Sequence, residues 1–299
     1  MADRLMRVLV LGGGGMLGHK LCQILGAKFE TYATFRAEPP AVPGVFEHIK
    51  ALAGIDARDI DQLGATVRRV RPAFVLNAIG LVKQRSEASD PISAISINSL
   101  FPHQVATICR TEAARLIHIS TDCVFSGRRG GYTEEDVPDP VDLYGRSKLL
   151  GEIDAPHVLT LRTSIIGREL GAGLGLVEWF LSNAGGRVSG YRNAVYSGLT
   201  TRALSLTLAG VMDGPPLSGV WHVSARSITK LDLLRQINEA FGTNTTIEVD
   251  DTFHSDRSLV SDRFWAATGL ERPTWQTMIR EMADDATPYR KRGGATTVH

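Results

Sequence analysis

Apolar positions along this chain fall into short continuous runs separated by longer amphipathic stretches. The runs are Arg7-Val8-Leu9-Val10-Leu11, Glu30-Thr31-Tyr32-Ala33-Thr34-Phe35, Ala73-Phe74-Val75-Leu76, Arg115-Leu116-Ile117-His118-Ile119 and Val158-Leu159-Thr160-Leu161. Their length and β-type content predict strands. After Val45-Phe46-Glu47-His48 the pattern turns helical over residues 60–69, and again over 102–112 and 144–153. Repeated βα units of this length predict an α/β fold, a Rossmann-like doubly wound parallel sheet with helices on both faces. Such sheets bind ligands at the carboxyl ends of their strands. The predicted strands end in small or polar residues: Gly12 to Gly15, Asn77-Ala78-Ile79-Gly80, Ser120-Thr121-Asp122 and Arg162-Thr163-Ser164.

Beyond Val223 the rhythm breaks. Residues 229–241 read as a helix and 264–285 as one or two more, which predicts a smaller, mostly helical C-terminal lobe closing the crevice. The expected division assigns 1–165 to a nucleotide-binding domain, with return segments at about 187–226 and 257–264. Residues 166–186, 227–256 and 265–288 form the substrate lobe, and 289–299 a disordered tail.

The first turn of the chain sharpens the class. Gly12-Gly13-Gly14-Gly15-Met16-Leu17-Gly18 follows a strand and opens a helix. Gly12 and Gly15 remove side chains where backbone must approach a pyrophosphate. Gly18 permits close helix packing, and the helix N-terminus offers free N–H groups to the anion. The next strand runs into Arg36, with no carboxylate at its end. An arginine there can meet a 2′-phosphate, so NADP(H) is the preferred cofactor. NAD(H) stays open because Glu38 lies two residues on, and a solvated loop arginine is the other reading of Arg36.

Composition narrows the partners. The 299 residues are 43% hydrophobic, with 33 basic against 32 acidic side chains. That suits a large core and gives no argument for nucleic acid or a membrane surface. No apolar run reaches the roughly 20 residues a membrane helix needs. The N-terminus runs directly into the first strand without a visible signal peptide. Cys22, Cys109 and Cys123 are odd in number and scattered, which reads as reduced thiols in a cytoplasmic protein with no disulfide framework. The histidines lack metal-ligand spacing, so no metal is expected; His118 and His222 read as core residues.

Tyr144-Gly145-Arg146-Ser147-Lys148 supplies candidate chemistry. Residues i and i+4 share a helix face, so Lys148 can sit beside the Tyr144 hydroxyl. An adjacent cation favours a phenolate, a pairing suited to proton transfer at a carbonyl or alcohol oxygen. With Ile119-Ser120-Thr121-Asp122-Cys123-Val124-Phe125-Ser126-Gly127, Tyr132-x-Glu134-x-Asp136 and Leu149-Leu150-Gly151-Glu152, the chain resembles the extended short-chain dehydrogenase/reductase superfamily. Within it the resemblance is to the dTDP-4-dehydrorhamnose reductase-like branch. Gly15-Met16-Leu17-Gly18, Asn77-Ala78, Ile97-Asn98, Leu161-Arg162-Thr163-Ser164, Gly198-Leu199-Thr200-Thr201 and Arg257-Ser258-Leu259 are further landmarks.

The resemblance implies that Tyr144 gives a proton as hydride reaches a ketone, while Lys148 lowers its pKa and holds the nicotinamide ribose. Thr121 would bond the substrate oxygen. Asn98 would steady Lys148, though it reads equally as a helix cap. Cofactor contacts would come from Gly12, Gly15, Met16, Leu17, Gly18, Arg36, Asp56, Ala57, Ala78, Ile79, Gly80, Tyr144, Lys148 and Thr163; Asp56 reads equally as a turn residue. Substrate contacts would come from Asp122, Cys123, Val124, Lys83, Arg168, Thr200 and Arg257, with Arg187 available for phosphates. The implied substrate is a nucleotide-activated 6-deoxy sugar bearing a 4-keto group, and a homodimer is the assembly expected of the class. Cys123 departs from the branch's usual Tyr and cannot act as the glutamate of the dehydratases. The alternatives are a sugar-nucleotide epimerase or dehydratase, or a non-catalytic NADP-binding regulatory subunit like the β-subunit of methionine adenosyltransferase.

Overall fold

The computed structural model describes residues 5–82, 89–171 and 173–289. Six successive strands, β1 (Arg7–Leu11), β2 (Glu30–Thr34), β3 (Ile49–Leu52), β4 (Phe74–Asn77), β5 (Arg115–Ile119) and β6 (Val158–Arg162), build a parallel sheet. The short strands β7 (Ile165–Ile166), β8 (Arg187–Tyr191), β9 (Ala194–Tyr196) and β10 (Leu199–Thr200) intervene before β11 (Gly219–His222) joins β6 at the sheet edge. The seven-stranded order is β11-β6-β5-β4-β1-β2-β3. Strand order reverses between β1 and β4, and the crevice of a doubly wound sheet opens at that reversal.

Val8 to Leu11 are fully buried, as helices on both faces require. One face is covered by α1 (Gly18–Gly26), whose Leu21, Cys22 and Leu25 are buried. The opposite core gathers Leu9, Leu11, Val75 and Leu116 under α2 (Ile60–Val70). The third strand lies just after Val45-His48. Those residues form turns, and Phe46 packs edge-on against Phe35 with centroids 5.3 Å apart.

Four further helical pieces surround the reactive residues. A one-turn helix α3 (Pro91–Ala94) runs into a π-helical segment, Ile95–Leu100, and then into α4 (Phe101–Thr111). Helix α5 (Leu143–Leu150) is capped by Asp142, which accepts from Gly145 N at 2.8 Å. It stops three residues short of the expected end. An added Cβ would lie 2.0 Å from Asn98 O at Gly151 and 2.2 Å from Cys123 O at Gly145. Glycine at these positions lets α5 press on the π-helical segment and on the 122–124 turn.

The second lobe holds α6 (Leu176–Ser182), β12 (Ile228–Thr229), α8 (Lys230–Phe241), β13 (Thr246–Asp250) and β14 (Ser255–Asp256), with α9 (Asp262–Thr268) and α10 (Trp275–Ala283) completing the chain. It is less helical than expected, because β8 pairs with β13 and β9 with both β12 and β14. Residues 187–196 therefore bond to the lobe and do not return to the central sheet. The return comes with α7 (Thr201–Asp213), which packs on α1, and with β11. A continuous apolar core runs from Leu21 through Leu204 and Leu208 to Leu234, Trp275 and Met278, tying lobe to sheet. Tyr289 is fixed as well: its hydroxyl lies 3.0 Å from Asp285 Oδ2 and 3.0 Å from His19 Nε2. The rest of the expected tail, residues 290–299, lies outside the described residues. Among the described residues no helix is long and apolar enough to cross a membrane.

Candidate active site

The site begins with backbone. Gly12 adopts φ +86°, a conformation L side chains rarely take, and Gly12 N donates to Thr34 Oγ1 at 3.1 Å. An added Cβ at Gly18 would lie 2.0 Å from Gly12 O, so helix α1 closes directly on the turn. Gly15 differs: its added Cβ meets only Gly12 O, at 3.5 Å, and Gly15 faces the crevice beside Met16 and Leu17. No side chain caps α1 and its first turn holds no carboxylate, which leaves N–H groups for an anion. Across the crevice Asn77 Oδ1 accepts from Ile79 N at 3.1 Å, and its amide lies 3.2 Å from His118 Nδ1. This shapes the Ala78–Gly80 lining; both His118 and His222 are buried core residues, as expected.

These walls enclose a cavity of about 520 Å³ that continues past Tyr144 and Lys148 to Cys123, Lys230 and Arg257. Five expected cofactor contacts stand outside its lining. Arg36 is exposed beyond β2; Asp56 is an exposed turn residue accepting from Arg58 N at 2.9 Å; Ala57 packs against the Leu9 core. Gly12 and Gly18 shape the turn from behind, while Thr163 lines the cavity.

At its centre Lys148 is buried and donates to Ile119 O at 2.7 Å. Burial pushes its pKa down to about 8, opposed by Glu152. The Tyr144 phenol is held well above its ordinary value, mainly by burial and then by Cys123, with a Thr121 hydrogen bond acting the other way. Burial is the largest influence on the phenol, and the Lys148 ammonium is engaged by the Ile119 carbonyl. Thr121 Oγ1 donates to Asp122 Oδ1 at 3.2 Å and accepts from Cys123 N at 3.1 Å.

Asn98 is neither a cap nor a direct partner of Lys148. Its side chain accepts from Leu81 N at 2.9 Å and donates to Leu81 O at 3.1 Å and Ser147 Oγ at 3.2 Å. It thus locks the Gly80–Leu81 loop to the helix that bears Lys148.

The far end of the cavity is lined by side chains from distant segments: Asp122, Cys123, Tyr196, Lys230, Ser255 and Arg257. Arg257 Nε donates to Phe125 O at 3.0 Å. Burial raises the Asp122 pKa, and Arg257 opposes the rise. Four expected substrate contacts fall elsewhere. Val124 is fully buried in a small cluster with Phe125, Tyr132 and Leu259. Arg168 is committed to Glu178 at 2.6 Å and lies over the Tyr289 ring. Thr200 caps α7 by accepting from Ala203 N at 3.2 Å, and Arg187 pairs with Glu248 at the surface. Lys83 lies outside the described residues. Burial raises the Cys22 and Cys109 thiols to about 12, so they are inert packing groups.

Lys230 was missed by sequence reasoning, which read residues 229–241 only as a helix of the smaller lobe. One signal was available: a cation at the first position of a helix opposes the positive end of the helix dipole and needs a reason to be there.

A glycine turn at the sheet's reversal point, facing a Tyr-x3-Lys pair on a neighbouring helix, defines a dinucleotide-binding protein of the extended short-chain dehydrogenase/reductase type. More narrowly, the chain belongs to the RmlD substrate binding domain family, which matches residues 6–287. A Haloferax volcanii protein described as a "probable low-salt glycan biosynthesis reductase" is 28% identical over 263 residues, 81% of this chain and 82% of that one. The dTDP-4-dehydrorhamnose reductase of Mycolicibacterium smegmatis is 27% identical over 245 residues, 79% of this chain and 69% of its own. The fold matches the crystal structure of dTDP-4-dehydrorhamnose reductase from Bacillus anthracis in complex with NADP, with a TM-score of 0.74 at 22% identity, covering 93% and 98% of the two chains.

Proposed function

We propose that this chain is an NADPH-preferring reductase of the 4-keto group of a nucleotide-activated 6-deoxy sugar. The observation that supports it most is that Tyr144 and Lys148 line one cavity together with the glycine turn and the cations Lys230 and Arg257. The reductase activities named for the Haloferax volcanii and Mycolicibacterium smegmatis relatives agree with this reading.

The glycine turn and α1 N-terminus hold the pyrophosphate, and Ala78 to Gly80 form the opposite wall. When bound, the dihydronicotinamide supplies hydride to the substrate carbonyl carbon. Tyr144 then gives its proton to the carbonyl oxygen; a phenol held above its ordinary pKa stays protonated at neutral pH and is ready to act as the acid. Thr121 lies within the same hydrogen-bond group and steadies the developing alkoxide. Lys148, once turned from Ile119 O toward the dinucleotide ribose, places a positive charge beside Tyr144 and eases its reprotonation. Cys123, standing where elimination chemistry needs a carboxylate, favours simple reduction over dehydration.

The test is NADPH oxidation at 340 nm with dTDP-, UDP-, GDP- and CDP-linked 4-keto-6-deoxyglucose. Turnover with at least one ketone is expected. Silence across the panel with both NADPH and NADH would overturn the reading.

A further inference from the structure

Lys230 stands out among the groups that the reduction mechanism does not use. It lines the cavity at the first position of α8, immediately after the strand that pairs with β9. The fold disfavours an ammonium there twice over. Burial lowers its pKa, and the helix dipole points its positive end at it. Nearby anionic charge gives limited relief. Asp122 and Cys123 favour its charged form, yet no carboxylate of the described residues forms an ion pair with it. Asp232, the acid in the first turn, is turned to Thr229 and Arg235. What holds the ammonium is the Tyr196 ring, whose centroid lies 4.4 Å from Nζ. The Tyr196 hydroxyl, beside Ser164, is itself buried with no hydrogen-bond partner of good geometry.

An aromatic face fixes a cation's position but leaves its N–H donors unused. Lys230 lines the same cavity as Tyr144, Asp122 and Cys123, so its donors are open to a substrate whose carbonyl rests against Tyr144. Of the two ring carbons next to a 4-keto group in a 6-deoxy sugar, C5 bears an apolar methyl and C3 a hydroxyl. Resting on the reductase reading above, we propose that Lys230 is a specificity-determining residue that donates a hydrogen bond to the C3 oxygen of the sugar. The cation–π contact with Tyr196 holds it in place for that purpose, and a 4-keto sugar lacking the C3 hydroxyl is discriminated against.

The experiment compares wild type, Lys230→Met and Lys230→Arg on the nucleotide-linked 4-keto-6-deoxyglucose that wild type turns over and on its 3-deoxy counterpart. Wild-type turnover tests the reductase reading alone; differences between the variants and the two sugars test Lys230. Loss of a charged donor to one substrate oxygen predicts that Lys230→Met raises KM for the hydroxylated sugar by about tenfold or more, with kcat changed less than about threefold. The 3-deoxy sugar should lose less than about twofold, and Lys230→Arg should restore part of the gap. Affinity for NADPH and for the free nucleoside diphosphate, measured by calorimetry, should stay unchanged and so certify the fold. Three results would overturn the proposal: an unchanged KM, an equal loss on the 3-deoxy sugar, or an equal loss of nucleoside diphosphate affinity, which would assign Lys230 to the diphosphate.

Discussion

The two ends of the cavity are built from different materials. At the dinucleotide end the wall is two short main-chain segments: Gly15 to Leu17 on one side and Ala78 to Gly80 on the other. At the far end it is side chain: Asp122, Cys123, Tyr196, Lys230 and Arg257, contributed by four separate segments of the sequence. Backbone walls recognise what every dinucleotide shares, a pyrophosphate and its ribose. Side-chain walls recognise what distinguishes one substrate from another. The Tyr144–Lys148 pair sits at the junction, on a helix whose glycines let it touch both ends.

The largest break in that comparison should come at the junction. Tyr144→Phe removes the proton donor and leaves both walls intact, so turnover should fall by about 10³-fold or more, roughly 4 kcal/mol of barrier, while NADPH affinity stays within about twofold. Stopped-flow hydride transfer and a calorimetric titration read the two numbers separately. Unchanged turnover would remove Tyr144 from the mechanism. Next in size is the backbone wall itself. Gly18→Ala puts a methyl 2.0 Å from the Gly12 carbonyl, a contact with backbone that no rotamer relieves. It should cost about 1–3 kcal/mol of stability and weaken dinucleotide binding by about tenfold or more. Gly14→Ala is the control, since its Cβ meets only Phe35, at 3.8 Å, and thermal unfolding should hardly change. Equal effects at the two glycines would mean that close approach is not what Gly18 provides.

The same contrast governs how much the sequence revealed. In the seven-stranded sheet β1, β4, β5 and β6 were legible as largely apolar runs of strands buried on both faces, and β2 through its β-branched and aromatic residues. The dinucleotide turn was legible because glycines close in sequence act together. Asn98 was marked by the resemblance alone; its partners Leu81 and Ser147 are set by the π-helical register, which no local pattern encodes. The substrate end was least legible. Arg168 and Arg187 looked available for phosphates, and each is paired with a glutamate that only the fold brings near. Lys230 was not singled out within its helix, because the aromatic ring that meets it is supplied by β9.

A smaller effect should appear as a pH profile. Burial holds the Lys148 pKa at about 8, whereas in the unfolded chain it lies near 10.4. Between those values the unfolded chain binds the proton and the folded chain does not. The burial penalty is thus fully present below about pH 8, and Lys148's contribution to stability rises as pH climbs through that window. Dinucleotide binding should run the other way, weakening above about pH 8 as the cation is lost. Chemical denaturation and NADPH titrations from pH 7 to 10 should therefore diverge, and Lys148→Met should flatten both of these components. Parallel slopes would show that Lys148 is not the titrating group.

The smallest predicted effect concerns Arg36, where the backbone wall gives way to a side chain. Gly13 N donates to Thr34 O at 2.9 Å, so the end of β2 is pinned to the glycine turn. Arg36 follows two residues later and is exposed, as is Glu38. An exposed guanidinium meeting a 2′-phosphate is worth about 1 kcal/mol after solvent screening, so Arg36→Ala should weaken NADPH by about fivefold and leave NADH nearly unchanged. Glu38→Gln should act in the opposite sense, since it removes a like charge from the phosphate's surroundings. Raising salt should shrink both effects together. If NADPH and NADH weaken equally in Arg36→Ala, the arginine is supporting the loop and not reading the phosphate, and cofactor choice would then rest with the backbone turn.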